Sequence, residues 1–200
     1  MMTEESLGDA MLLRPCFGML LRRHLIELSG TVDREPPTVA ELQAEITTDM
    51  RNGLELYRPK PTAYLDTRLN VLACNENFAQ AFPGLTDGGN LLCWLLNDER
   101  SRQTMVEWED GVRFAVQWWR GLLGQVGEWA WSAELVASYG EHSIFRESWN
   151  SGHVTFHRVQ PALRLRDLGT GEERVIVPQV FRALRTPNSN NMLIFLGLPI

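Results

Sequence analysis

The stretch MVEWEDGVRFAVQWWRGLL, residues 105–123, holds three of the chain's seven tryptophans, and its reading decides the fold. At about 100° per residue, Met105, Trp108, Val112, Ala115, Val116, Trp119, Leu122 and Leu123 share one stripe of a helix. Glu109, Asp110, Arg113, Gln117 and Arg120 gather on another side, and Phe114 and Trp118 fall on a third arc nearly opposite the stripe. A helix apolar on two sides is enclosed, by a sheet on one side and by a helical layer or a partner on the other. The rings then have two readings. They fill the core, since each aromatic buries roughly 150–250 Å², or they wall a pocket for a small molecule. All seven tryptophans lie between residues 94 and 149, and rigid rings crowded into one end of a domain leave gaps more readily than aliphatics do.

The text around this helix is also helical. Asn90 caps a helix through LLCWLL, which resumes after Asn97 and Asp98 and runs to about Gly124. Further helices fit SAELVASYG (132–140) and, with Ser143 as cap, SIFRESWN (143–150). Beyond these the period changes to that of strands. TAYLD (62–66) and LNVLAC (69–74) form a hairpin across Thr67 and Arg68, with a short helix, ENFAQAF, after it. Later come HVTFHRVQPALRL (153–165), the turn DLGTGEE, RVIVPQVFRAL (174–184), the turn TPNSNN and MLIFLGLP (192–199). Two strands, a helical middle and three strands with short connections predict an α+β domain, an antiparallel sheet with a helical layer on one face.

Ahead of it, Thr38 and Glu41 fit a capping box, and Val39, Leu42, Ile46, Met50 and Leu54 recur at helical spacing until Pro59 and Pro61. The expected organisation is an N-terminal segment 1–37 with the amphipathic CFGMLLRRHLIEL, a lead-in helix 38–58, and the main domain 59–200.

A formal net charge of -6 disfavours a surface built to neutralise phosphates, so direct nucleic-acid binding is not expected. Cys16, Cys74 and Cys93 sit among apolar neighbours and read as reduced thiols of a cytoplasmic protein. The N-terminus has acidic residues where a secretory signal needs basic ones, and no run approaches the ~18 apolar residues of a membrane span. His153 and His157 have no acidic or thiol partner nearby, so no metal is expected. GLLGQVG (121–127) ends a helix instead of joining a strand to one, which leaves it without the setting of a phosphate loop. No catalytic or cofactor motif stands out, and the chain reads as a non-enzyme without a cofactor.

Three blocks carry a family resemblance: PTAYLDTRLNVLACNENFAQAF (61–82), NLLCWLLNDERSRQTMVEWEDGVRFAVQWWRGLLG (90–124) and SIFRESWNSGHV (143–154). In this order and spacing they resemble the ligand-binding domain of MmyB-like (MltR-type) transcription regulators, common in actinomycetes, over roughly residues 61–199. Asn75, Asn90-Leu91-Leu92, Arg102, Trp108-Glu109, Arg120, Phe145-Arg146 and Trp149 stand where the family pattern has them. Gly152-His153 before Val154 replaces the family's His-Asp, and Val177 before Pro178 replaces its His. The resemblance implies a PAS-like fold, a five-stranded antiparallel sheet with helices packed on it, here with an N-terminal helical extension. It also implies a pocket that holds a fatty-acid-like molecule. In such regulators the domain follows an XRE-type helix-turn-helix; FGMLLRRHLIEL is similar to its first helix only, so a sensor without a DNA-binding domain is expected.

On this reading the pocket walls are Leu92, Trp94, Trp108, Val112, Trp119, Phe145, Trp149 and Phe195, and Arg102, Arg120 and Arg146 are candidate partners for an acidic head group. The alternative is a ligand-free module in which Phe114, Trp118 and the exposed side of the first helix contact a second copy or a regulator.

Overall fold

The Thr38 hydroxyl accepts the Glu41 N–H at 3.2 Å and the Glu41 carboxylate accepts the Thr38 N–H at 2.7 Å, the capping box that its sequence predicts. It starts α1, Val39–Ala44. The single lead-in helix expected over 38–58 is two helices, because the Thr47 hydroxyl caps the Met50 N–H at 3.2 Å and opens α2, Thr48–Glu55. The computed structural model describes residues 37–126, 130–156, 160–183 and 188–200. Residues 1–36 with CFGMLLRRHLIEL and Cys16, His157, and part of the TPNSNN turn lie outside the described residues.

Five strands, β1 (Thr62–Asp66), β2 (Val71–Cys74), β3 (Leu163–Arg166), β4 (Glu173–Arg182) and β5 (Met192–Pro199), form one sheet in the order β2-β1-β5-β4-β3. Every neighbouring pair is antiparallel. In the β1–β2 turn the Asp66 carboxylate accepts the N–H groups of Arg68 at 2.9 Å and Asn70 at 2.8 Å, and Leu69 takes a φ of 68°. The strand expected over 153–165 shortens to β3. Pairing with β4 begins at Leu163↔Ile176, just after Pro161, which has no N–H to give a ladder.

Among the described residues, six helices lie between β2 and β3: α3 (Glu76–Ala81), α4 (Leu91–Asn97), α5 (Glu99–Thr104), α6 (Trp108–Val126), α7 (Ala130–Tyr139) and α8 (Ser143–Asn150). The helix expected from Asp98 to Gly124 is interrupted, because Met105 bridges Leu165 of β3 and the Val106 N–H donates to the Arg164 carbonyl at 3.1 Å. Ser143 is inside α8 and is not its cap; His142 holds the cap position without a side-chain bond.

The sheet is covered on both faces. Ala63, Leu65, Leu163, Leu165, Ile176 and Leu193 belong to the core shared with α3, α4, α6, α7 and α8. Leu72, Ala73, Ala183 and Met192 belong to a second core with Leu42 and Leu54 of the lead-in helices and Ile46 between them.

Candidate functional site

Helix α6 has two buried arcs about 100° apart, and they meet different surroundings. Val112, Val116, Trp119 and Leu123 form the first and are buried. Trp119 packs against Tyr139, Phe145 and Trp149 at centroid distances of 6.2, 6.5 and 5.8 Å, and Phe145 stacks on Trp149 at 5.8 Å. On this side the described rings and side chains pack directly on one another. The second arc is Gly111, Phe114, Ala115, Trp118 and Leu122, and it borders a cavity of about 600 Å³ between α6 and the sheet.

The remaining walls come from several elements. Phe78, Phe82, Trp94 and Phe195 make one aromatic wall, with centroids 4.8 Å apart for Phe78–Phe82, 5.9 Å for Phe82–Trp94, 5.5 Å for Phe78–Phe195 and 5.7 Å for Phe82–Phe195. Edge contacts of this kind suit the ring quadrupoles. The Trp94 indole N–H donates to the Pro83 carbonyl at 2.9 Å, so the ring offers the cavity only carbon. On the sheet, the register Val180↔Phe195 and Arg182↔Leu193 sets these four residues on the helix-facing side.

The cavity is polarised. Leu65, Phe78, Phe82 and Leu85 at one end are buried, while Phe156, Pro161, Phe181 and Arg182 at the other are exposed. Arg182 is the only charged side chain among the described lining residues.

Two asparagines hold these walls in place. The Asn75 amide oxygen accepts the N–H groups of Thr62 and Phe78 at 3.1 and 2.9 Å, and its nitrogen donates to the carbonyls of Leu54 and Lys60 at 3.1 and 2.9 Å. The Asn90 oxygen accepts the Cys93 N–H at 3.0 Å and the Tyr139 hydroxyl at 3.1 Å, while its nitrogen donates to the Arg68 carbonyl at 2.8 Å and the Asn70 amide oxygen at 3.0 Å. Each side chain uses all four of its hydrogen-bonding positions. Together they pin α3 and α4, and so Phe78 and Trp94, to the β1–β2 hairpin.

Of the residues expected on the walls, Trp94 and Phe195 line the cavity. Leu92, Val112, Trp119 and Phe145 do not; they are buried in the filled core, because the widest apolar stripe of α6 faces α8. The Trp108 N–H donates to the Leu95 carbonyl at 3.0 Å and to the Ser101 hydroxyl at 3.1 Å, and the Arg102 guanidinium lies 4.4 Å from its ring centroid. Both residues border a separate cleft of about 260 Å³ with Arg113, His142 and Glu147. Arg120 donates to the Trp149 carbonyl and lies 4.9 Å over its ring, and Arg146 donates to the Gly140 carbonyl at 2.8 Å. Trp108, Trp149 and the three arginines thus tie helical segments together instead of meeting the cavity. Phe114 and Trp118, expected at an interface, line it. Phe78, Phe82 and Arg182, which the sequence pattern does not single out, also line it.

Among the described residues that line this space there is no Cys, Ser, Thr, Tyr, Lys or His, and Cys74 and Tyr139 lie outside it. Burial pushes the Cys74 thiol and the Tyr139 hydroxyl each up to about 12, so both stay protonated at neutral pH. Among the described residues no cluster of His, Cys, Asp or Glu is arranged to hold a metal ion, and no helix is long and apolar enough to cross a membrane.

Comparison with curated proteins returns no match. Residues 46–196 match the family model described as MmyB-like transcription regulator ligand binding domain.

Proposed function

Because the chain belongs to the MmyB-like transcription regulator ligand binding domain family, we propose that it senses an acyl chain or similar apolar small molecule held between α6 and the sheet. One observation carries this: a cavity of about 600 Å³ whose lining side chains are mostly apolar, with Arg182 the charged one among those described. The volume falls within the roughly 300–1,000 Å³ of small-molecule sites. A hydrocarbon tail against Phe78, Phe82, Trp94 and Phe195 gains about 0.8 kcal/mol per buried methylene. A carboxylate left at the mouth meets the Arg182 guanidinium, a charge-assisted pairing. A fatty acid satisfies both ends.

Signalling follows from the second face of the same helix. Trp119 and Leu123 hold α6 against the aromatic cluster, so an occupant that prefers one seating of α6 biases the position of α8 as well. The bias is limited to the ligand's difference in affinity for the two seatings.

The test is to extract the purified protein with organic solvent, identify released lipids by mass spectrometry, and then measure melting of the stripped protein with added fatty acids. Acyl chains in the extract and a rise in melting temperature are expected, since a ligand at a hundred times its Kd adds about 2.7 kcal/mol. Lipid-free protein whose melting ignores every chain length would refute the reading.

A further inference from the structure

Residues 152–156 leave the end of α8 without helix or strand pairing and bring Val154 and Phe156 against one point of α6. That point is Gly121, one turn beyond Trp118, which borders the cavity. A methyl group placed on Gly121 would sit 2.6 Å from the tip of the Phe156 ring and 2.8 Å from a Val154 methyl, far inside van der Waals contact. Only glycine lets both side chains lie on the helix there. The price is a glycine inside α6, which weakens a helix. The Phe156 ring also forms part of the cavity lining at its exposed end. It is 55% exposed and Val154 49%, so their hold on α6 is one-sided. Lifting such a ring uncovers little new apolar surface, whereas lifting a deep wall residue such as Phe82 uncovers nearly all of it.

We infer that Phe156 is the movable end wall of the cavity. Seated on Gly121, it closes the mouth and sets the length of chain that fits; lifted from that seat, it admits and releases the occupant. The inference rests on the acyl-sensor reading above. It adds to that reading a residue that determines chain-length preference and residence time, and a seat that makes the determination possible.

The contact can be disturbed from both sides. Phe156→Ala removes the wall, and Gly121→Ala removes its seat while giving α6 a better helix former. The full chain and both variants are loaded with a fluorescent polyene fatty acid, which is displaced by unlabelled saturated acids of graded length. Both variants are expected to release the probe about tenfold faster than wild type, since such changes act mainly on dissociation. Both are also expected to move the best competitor to longer chains. Melting curves of the stripped proteins show whether each variant is folded; a Gly121→Ala protein that melts as wild type and behaves as Phe156→Ala does is the decisive match. Unchanged release and length preference in both folded variants would overturn the end wall and leave the sensor reading standing. A change in Gly121→Ala alone would also overturn it, pointing to distortion of α6. Wild type that takes up no probe removes the sensor reading, and the end wall with it.

Discussion

Toward α8, helix α6 presents Val112, Val116, Trp119 and Leu123, and the rings of Tyr139, Phe145 and Trp149 close over them. Toward the sheet it presents Gly111, Phe114, Ala115 and Trp118, and about 600 Å³ stays unfilled. Both sides are rich in aromatic rings, so ring content does not decide which one is hollow. On the filled side, side chains of medium size stand between the rings and ridges enter grooves. On the hollow side Ala115 stands between the rings, and Gly111 makes room for the Met105 side chain, which lies where a Cβ would be. Across the cavity Phe78, Phe82, Trp94 and Phe195 pack into a wall through three edge-to-face contacts and one tilted contact, Phe78–Phe82. A small residue, Ala115, between Phe114 and Trp118, with the facing rings satisfied among themselves, leaves room for a guest.

The largest expected effect separates adjacent tryptophans. Trp119→Ala removes a fully buried ring and is expected to cost roughly 3–5 kcal/mol in urea unfolding. Trp118 is partly exposed and borders the hollow, so Trp118→Ala is expected to cost about 1 kcal/mol or less of stability and to weaken acyl-chain binding instead. Equal losses of stability at the two positions would break the comparison at its centre.

Next comes added volume. Val116→Leu puts a methylene into the filled side and is expected to cost about 1–3 kcal/mol through overpacking. Ala115→Leu puts three carbons into the hollow, where stability is expected to move by less than about 1 kcal/mol while acyl affinity falls tenfold or more, about 1.4 kcal/mol. Denaturation midpoints and competition binding on the same two proteins check the pair. A smaller effect tests the rim. Arg182→Gln is expected to leave melting unchanged and to reduce the preference for a fatty acid over its methyl ester by about five- to tenfold.

The order of strands and helices was legible because its signals are local: period-two runs in β1, β4 and β5, the Thr38–Glu41 box, and Asn90 at the head of α4. The buried stripe of α6 was legible for the same reason. Which surroundings each arc meets was not, because that depends on where α8 and the sheet come to lie. The stripe is divided: its Val112, Val116 and Trp119 meet the aromatic core, its Ala115 and Leu122 border the cavity, and Phe114 and Trp118 border that cavity with them. The arginines failed similarly: Arg102, Arg120 and Arg146 find partners on other segments, a matter of packing, while Arg182 gains its place only through register with Leu193. Two misses were readable. Pro161 signals that no strand runs unbroken from 153 to 165, and Thr47 is a helix cap inside the apparent lead-in helix.

The smallest effect concerns how the filled side is fastened to the hairpin. Asp66 is buried and accepts the Arg68 and Asn70 N–H groups and the Asn70 side-chain amide, the last at 2.8 Å. Asn70 in turn meets Asn90, which meets the Tyr139 hydroxyl beside Trp119. Burial raises the Asp66 carboxyl above its usual 3.8, against the opposing pull of its donors. A carboxyl raised on folding contributes stability that is fully present below the unfolded value and is lost as pH rises through the folded value. Wild type should therefore lose stability relative to Asp66→Asn as pH climbs from below about 4 through that raised value, and then run parallel to it. Taking the difference between the two proteins cancels the ordinary acid sensitivity of exposed carboxylates such as Asp167 and Glu173, which are held low by their hydrogen bonds. A difference that instead grows in favour of wild type with rising pH would mean that the three donors outweigh burial, and that the charged carboxylate is what ties the hairpin, through Asn70 and Asn90, to the filled side of α6.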